Sequence, residues 1–74
     1  MKANEAMKEI MNESGMSSGR MAKMLERPTS TISDRLRTEN MGAETMAQML
    51  GTMGYMLVMM PVESKMPKGG RKID

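Results

Sequence analysis

The stretch SSGRMAKMLERPTSTISDRLR, residues 17–37, determines the fold expected for this chain. Its apolar residues form two short helical patterns, one with Met21, Ala22 and Leu25 and one with Ile32 and Leu36. The residues between them leave room only for a tight turn, and Pro28 cannot continue the first helix. Two short helices joined by such a turn form a helix-turn-helix, a motif that mainly holds its second helix in the major groove of DNA.

The composition narrows the classes of protein to which the chain can belong. Seventy-four residues make one small domain, which buries only roughly 60% of its unfolded surface. The absence of Cys suits a reducing cytoplasm, and we expect neither a signal peptide nor a membrane span. His is also absent, so the commonest general base is missing. We therefore expect a cytoplasmic protein that is not an enzyme and needs no cofactor.

The formal net charge of +2 is unevenly distributed along the chain. Residues 18–37 carry +3, and so do residues 64–74, whereas residues 38–63 carry −3. Positive charge is thus concentrated in the helix-turn-helix and in the C-terminal tail, as phosphate binding requires. An ordinary solvated helix surface explains the same charges equally well.

The flanking sequence predicts a helical scaffold around the motif. A first helix over 4–14 ends at Gly15, and Ser17 caps the second helix. The third helix begins near Thr29 or Ser30, either of which can cap it. A fourth helix is predicted by the i, i+3, i+4, i+7 spacing and by Gly54 at its C′ position, its apolar residues being Met46, Met49, Leu50 and Met53.

The C-terminal part of the chain has a different pattern. Residues 55–60, YMLVMM, are a continuous apolar run that ends at Pro61, which is typical of a buried strand. Residues 71–74 are predicted to return as a second strand and so complete a hairpin. Four small helices can hardly cover both faces of such a strand, so a homodimer through residues 55–60 is expected. The alternative is a strand covered entirely within one protomer.

Fourteen methionines are the other unusual feature of the composition. Thioethers are soft ligands that favour Cu(I), so a Met-based metal carrier is one class of function to consider. However, these residues occupy positions where Leu or Ile would ordinarily pack, and Phe and Trp are absent. We therefore interpret Met as the main core residue and expect no metal site.

Residues 4–54 resemble the helix-turn-helix family of phage repressors, lambda-type Cro and related small bacterial regulators. The Met21-Ala22 pair resembles the Leu-Ala pair in the second helix of the family. The tripeptide Thr31-Ile32-Ser33 is the one that the family usually has in its third helix. The chain departs from the family at Ser18, where Gln is frequent, and at Glu26 and Arg27, where Gly and an apolar residue are usual. The resemblance implies a mostly α, four- to five-helix lambda-repressor-like domain over 1–54. Residues 55–74 then form the C-terminal β-strand or hairpin and a basic tail.

The resemblance also implies which side chains meet DNA. The start of the third helix faces base edges, where hydroxyl and carboxylate groups form hydrogen bonds. The start of the second helix favours a phosphate. The base-facing residues are Thr29, Ser30, Ser33 and Asp34; the phosphate contacts are Ser18, Arg20 and Thr31; and Arg35 and Arg37 reach a phosphate or a guanine.

Each of these assignments has a structural alternative. Thr29 and Ser30 can act only as helix caps, and Ser18 can be ordinary surface. Asp34 can simply pair with Arg37 at i+3. Ile32 and Leu36 are interpreted as core residues without a recognition role.

The sequence as a whole predicts a phage-like, dimeric transcriptional regulator, most simply a repressor. It is expected to bind double-stranded DNA sequence-specifically at two half-sites about one helical turn apart. The alternative is an antitoxin-like protein-interaction module that neutralises a protein partner and also binds DNA. In that case the Met-rich segment and the tail would form the contact surface.

Overall fold

A computed structural model describes all 74 residues of the chain as a mostly helical protein. Its four helices are α1 (Ala3–Ser14), α2 (Ser18–Leu25), α3 (Thr29–Arg37) and α4 (Ala43–Gly51). The mostly α fold class is therefore confirmed. There is no strand, so the prediction of a C-terminal strand or hairpin is wrong. None of the four helices has the length and apolarity needed to cross a membrane.

Local interactions determine the boundary between α1 and α2. Gly15 adopts a left-handed conformation with φ 68°, and the N–H of Met16 donates to the carbonyl of Met11 at 2.9 Å, which closes the end of α1. Ser17 then caps α2, because its Oγ accepts a hydrogen bond from the N–H of Arg20 at 3.1 Å. Both predictions, the stop at Gly15 and the cap at Ser17, are confirmed.

The turn after α2 contains the only residue other than glycine with positive φ. Glu26 has φ 54° and ψ 46°, and the N–H of Arg27 donates to the carbonyl of Ala22 at 2.9 Å. A side chain in this left-handed region is strained, since Cβ comes too close to the carbonyl oxygen that follows it. A residue other than glycine at this position therefore carries a cost in stability.

We expect Glu26→Gly to raise the free energy of unfolding by about 1 kcal/mol, because glycine adopts positive φ without strain. Chemical denaturation measures the change. Glu39→Gly is the matched control, since Glu39 is an exposed loop residue outside the positive-φ region and its replacement relieves no strain. An equal response at the two positions would contradict the idea of a strained turn.

The ends of α3 and α4 differ from the predictions. The N-cap of α3 is Pro28, with no side-chain capping hydrogen bond, so the interpretation of Thr29 and Ser30 as caps is wrong. α4 ends at Gly51, earlier than predicted, and Gly54 (φ 76°) lies in the turn that follows. There the N–H of Tyr55 donates to the carbonyl of Leu50 at 3.0 Å, which ends the helical region.

The four helices enclose a core in which methionine is the most frequent residue and no aromatic residue is buried. Met7, Met21 and Met49 are at most 1% exposed, as is Ile32. The structure thus agrees with the interpretation of Met as the main core residue. The core cluster consists of Ala3, Met7, Ile10, Met11, Met21, Ala22, Ile32, Leu36, Met46, Met49 and Leu50.

One buried polar residue attaches α3 to α1. Asn4 is 8% exposed, and its Nδ2 donates to the carbonyl of Leu36 at 3.0 Å. This bond satisfies a carbonyl in the last turn of α3, which has no partner within the helix. Asn4 therefore holds the C-terminal end of α3 against the scaffold.

We expect Asn4→Asp to lower the free energy of unfolding by about 2–3 kcal/mol at neutral pH, because a carboxylate would face the Leu36 carbonyl and could not donate to it. The loss should shrink at acid pH, where the protonated carboxyl can donate. Asn12→Asp is the control, since Asn12 lies exposed on the same helix. Denaturation of both variants across pH tests the prediction, and a loss at Asn4 no larger than at Asn12 would contradict it.

The C-terminal segment is extended and largely exposed. No main-chain hydrogen bond involves residues 56–60, because the chain offers no second strand to pair with them. The predicted returning strand, residues 71–74, instead contacts α1. The guanidinium of Arg71 pairs with Glu9 and Glu13, and the N–H of Asp74 donates to the carbonyl of Met1 at 3.0 Å.

Candidate nucleic-acid interface

The outward face of α3 is polar. The helix is anchored by Ile32 and Leu36, which are buried, and it packs against α1 and α2. Positions roughly half a turn away from these anchors are exposed, namely Ser30, Asp34 and Arg37. Three of the predicted DNA-binding residues therefore lie together on the side of α3 that faces solvent.

The hydroxyl groups at the start of α3 do not act as helix caps. Thr29 and Ser30 are exposed and make no capping hydrogen bond, so their hydroxyls are available to another molecule. The first turn of a helix also presents unpaired N–H groups and the positive end of its dipole. This end of α3 can therefore donate and accept hydrogen bonds and attract an anion.

One alternative suggested by the sequence is present in the structure. The guanidinium of Arg37 donates to Asp34 Oδ1, which makes an ion pair between exposed side chains at i, i+3. Exposed pairs of this kind contribute about 1 kcal/mol or less, so a stronger partner can separate them. In the free protein the pair nevertheless neutralises the outward face of α3.

The remaining predicted residues of α3 lie at its flanks. Thr31, Ser33 and Arg35 are half-buried, so they are less accessible than Ser30. The Nη1 atom of Arg35 is buried and has no hydrogen-bond acceptor. An unsatisfied buried donor costs about 1–3 kcal/mol, so Arg35 is not a freely exposed cation in this conformation.

The two residues predicted at the start of α2 are engaged with the protein to different degrees. Ser18 is half-buried, whereas Arg20 is exposed. The Nη1 of Arg20 donates to the carbonyl of Gly15 at 3.0 Å. Arg20 is thus held beside the turn that leads into α2, and its other guanidinium nitrogens make no protein hydrogen bond.

Two cations of residues 17–37 that were not predicted as site residues form no ion pair within the protein. Lys23 and Arg27 are exposed and take part in none of the protein's ion pairs. Together with Arg20 and Thr29 they line an open depression of about 510 Å³ between α2 and the start of α3. The available signal was the i, i+3 spacing of Arg20 and Lys23, which places these two on one face of α2. Arg27 follows the left-handed turn beyond the end of α2, so that spacing does not indicate its position.

The depression is predominantly basic. It contains three cations and the single acid Glu26 beside the exposed start of α3. An arrangement of this kind suits a polyanion that runs past α2 while another part of it meets α3. No group of three or more Asp or Glu side chains is placed to hold a metal ion.

Comparisons with known proteins identify no relative of this chain. No protein-family model matches the chain, and no curated protein or solved structure is significantly similar to it.

Proposed function

We propose that this protein is a sequence-specific, double-stranded DNA-binding transcriptional regulator of the lambda-repressor-like helix-turn-helix type. The observation that carries the proposal is the division of α3 into two faces. Ile32 and Leu36 anchor the helix to the core, while Ser30, Asp34 and Arg37 face solvent beside the uncommitted hydroxyl of Thr29. A helix that is fixed on one side and polar on the other suits insertion into the major groove.

The residues of α3 take different roles in this proposal. The hydroxyls of Thr29 and Ser30 contact base edges. Arg37 separates from Asp34 and binds a phosphate or a guanine, and Asp34 then accepts a hydrogen bond from the N4 amino group of cytosine. The exchange replaces an exposed ion pair with a contact to DNA, so it costs little. Thr31, Ser33 and Arg35 are nearer the protein and contribute at the edges of the interface.

Phosphate binding is assigned mainly to α2 and its turn. Ser18 and Arg20 lie at the start of α2, and Lys23 and Arg27 extend the same basic surface toward Thr29. Because Lys23 and Arg27 have no acidic partner, no internal ion pair has to break when they bind phosphate. Repression by steric occupancy of an operator, in the cytoplasm, is the simplest mechanism for so small a domain.

Selection of bound sequences from random duplex DNA tests the proposal. We expect a preferred sequence with two half-sites about one helical turn apart, and affinity that falls steeply with salt as counterions are released. Failure to enrich any sequence, together with binding that does not respond to salt, would contradict it.

The role of the basic surface is tested by the double substitution Lys23→Gln with Arg27→Gln. Removing one phosphate-binding cation should reduce the slope of log affinity against log salt by about 1, so the double variant should show a slope smaller by about 2. The double substitution Lys2→Gln with Lys8→Gln removes the same charge from exposed positions in and before α1 and is the control. Equal slopes for the two variants would remove Lys23 and Arg27 from the interface.

A homodimer through residues 55–60 is part of the proposal. Met56 is 78% exposed and Met59 is fully exposed, which leaves apolar surface that a second copy can cover. Met59→Glu should lower the dimer fraction measured by analytical ultracentrifugation without unfolding the protomer. Met59→Leu, which keeps the surface apolar, should preserve the dimer, and a monomer in the unsubstituted protein would refute this assembly.

The same exposed Met-rich segment favours one second candidate, an antitoxin-like module that binds a protein partner. Methionine is frequent at adaptable protein interfaces, because its side chain is flexible and polarisable. Purification from the native host distinguishes the two functions. A stoichiometric partner that is lost in Met59→Glu favours the antitoxin, whereas loss of self-association without loss of any partner favours the dimeric regulator.

A further inference from the structure

A large cavity lies between the C-terminal segment and the helices, on a part of the molecule that the proposed DNA interface does not use. Its volume is about 860 Å³, within the range of small-molecule sites. The floor is formed by apolar side chains of α1 and α4, and residues 56–62 form much of the roof. The floor residues are Ala6, Met7, Ile10, Met46 and Leu50.

The roof is attached at both of its ends. At the start, Tyr55 is held to Leu50 by a main-chain hydrogen bond of 3.0 Å. At the far end, Arg71 Nε donates to Glu9 Oε1 at 2.6 Å and the same guanidinium also pairs with Glu13. The side chain of Arg71 is only 12% exposed. Its hydrogen bonds to Glu13 and Glu9 raise the pKa of Arg71 above its ordinary value, so the attachment remains charged at any physiological pH.

Between these attachments the roof can adapt to a ligand. Residues 56–60 make no main-chain hydrogen bonds, so their movement breaks none. The roof also contains Met56 and Met60, and Met66 lines the cavity further along the segment. Unbranched thioether side chains adjust readily to the shape of an apolar molecule.

The charges around the cavity have one sign. Its only charged lining residues are Lys68, Arg71 and Lys72, and no Asp or Glu lines it. Arg71 is neutralised by the two glutamates of α1, whereas Lys68 and Lys72 take part in none of the ion pairs. Asp74, an acid close in sequence to Lys72, is already paired with the N-terminal amine. The cavity therefore combines an apolar interior with two ammonium groups that form no ion pair, although Lys72 lies close enough to Asp74 to contribute to the lowered pKa of that carboxyl.

We infer that this cavity binds an amphipathic anion, a medium-chain carboxylate of the fatty-acid class. Its hydrocarbon chain lies against the apolar lining of the cavity, in which Met56, Leu57 and Met60 are exposed, and its carboxylate meets Lys68 and Lys72. This site uses none of the residues of α2 and α3 that are proposed to contact DNA, although its roof contains residues 56–60 of the proposed dimer contact.

Tyr55 offers a direct measurement, because it is the only aromatic residue of the chain and lines the cavity. The full chain is titrated with dodecanoate below its micelle concentration, and tyrosine fluorescence and isothermal calorimetry are recorded. We expect saturable binding of one dodecanoate per chain. The dodecyltrimethylammonium cation, which has the same hydrocarbon chain and the opposite charge, should bind far more weakly.

Substitution of the two lysines tests the assigned polar contacts. Lys68→Gln with Lys72→Gln should weaken dodecanoate binding about fivefold, the effect of losing two partly exposed ion pairs, and should leave binding of neutral dodecanol unchanged. Lys65→Gln is the matched control, because Lys65 lies in the same segment but does not line the cavity. Circular dichroism verifies that the variants stay folded.

Three outcomes would overturn the inference: no saturable binding of dodecanoate, equal binding of the anionic and cationic amphiphiles, or equal losses in the Lys65 variant and the double variant. Ultracentrifugation of the same samples identifies a further contrary result. A dimer that excludes dodecanoate would mean that a second copy of the chain fills the cavity.

Discussion

Met49→Ala is expected to lower the free energy of unfolding by about 2–5 kcal/mol, because it leaves a cavity in a small hydrophobic core. Met49 is completely buried in α4 and belongs to the single core cluster. For a small domain with a stability of about 5–15 kcal/mol, such a loss is a large fraction of the total. Thermal and chemical denaturation measure it.

The abundance of methionine provides an internal control for this prediction. Met59→Ala removes the same atoms from a side chain that is fully exposed, so it should leave stability almost unchanged. The contrast between the two variants separates burial from any general effect of replacing methionine. Similar losses at Met49 and Met59 would mean that the C-terminal segment is packed in solution, contrary to its exposure in the structure.

Ser30→Glu is expected to reduce the affinity for a selected DNA duplex by about 100-fold, because it places a like charge against the phosphates and base edges that α3 is proposed to meet. Ser30 is exposed on the outward face and makes no capping bond. A glutamate in the first turn also interacts favourably with the helix dipole, so the fold should not be weakened. Affinity measured at constant salt, with denaturation in parallel, tests both parts.

Ser64→Glu is the control for the Ser30 variant, because it changes net charge equally at an exposed position of the C-terminal segment. Its affinity for the duplex should stay close to that of the unsubstituted protein. If both variants bind DNA as tightly as the unsubstituted protein, α3 does not enter the groove and the regulator proposal fails. If both lose affinity equally, the effect is one of net charge alone and α3 has no special role.

The predictions that succeeded rest on contacts between residues close together in the chain. The cap at Ser17 joins residues three positions apart, and the stop at Gly15 follows from the conformational freedom of glycine. The tight turn before Pro28 was likewise predicted, but the positive φ of Glu26 was not: the glycine usual at that position in the family that the chain resembles indicated strain only if the backbone is left-handed there. Such features depend little on the rest of the fold, so a single sequence is enough to locate them.

The prediction of a strand failed for the opposite reason. A strand is stabilised by hydrogen bonds to another strand, and an apolar run such as 55–60 cannot show whether a partner exists. The returning residues instead meet α1, where Arg71 contacts Glu9 and Glu13 some sixty positions away in the chain. Nothing in the local pattern around Arg71 indicates that pairing.

For the candidate site, residue spacing was enough to predict two short helices joined by a tight turn, the Met-rich core and the polar residues of α3, because helical periodicity follows from spacing alone. Which of those side chains are free depends on the packed fold. It buries Nη1 of Arg35 and leaves Lys23 and Arg27 without acidic partners, whereas the pair of Asp34 with Arg37 already follows from their i, i+3 spacing within α3. It also leaves residues 56–60 exposed above a cavity. Burial and contacts between elements depend on distances that exist only once the helices have packed.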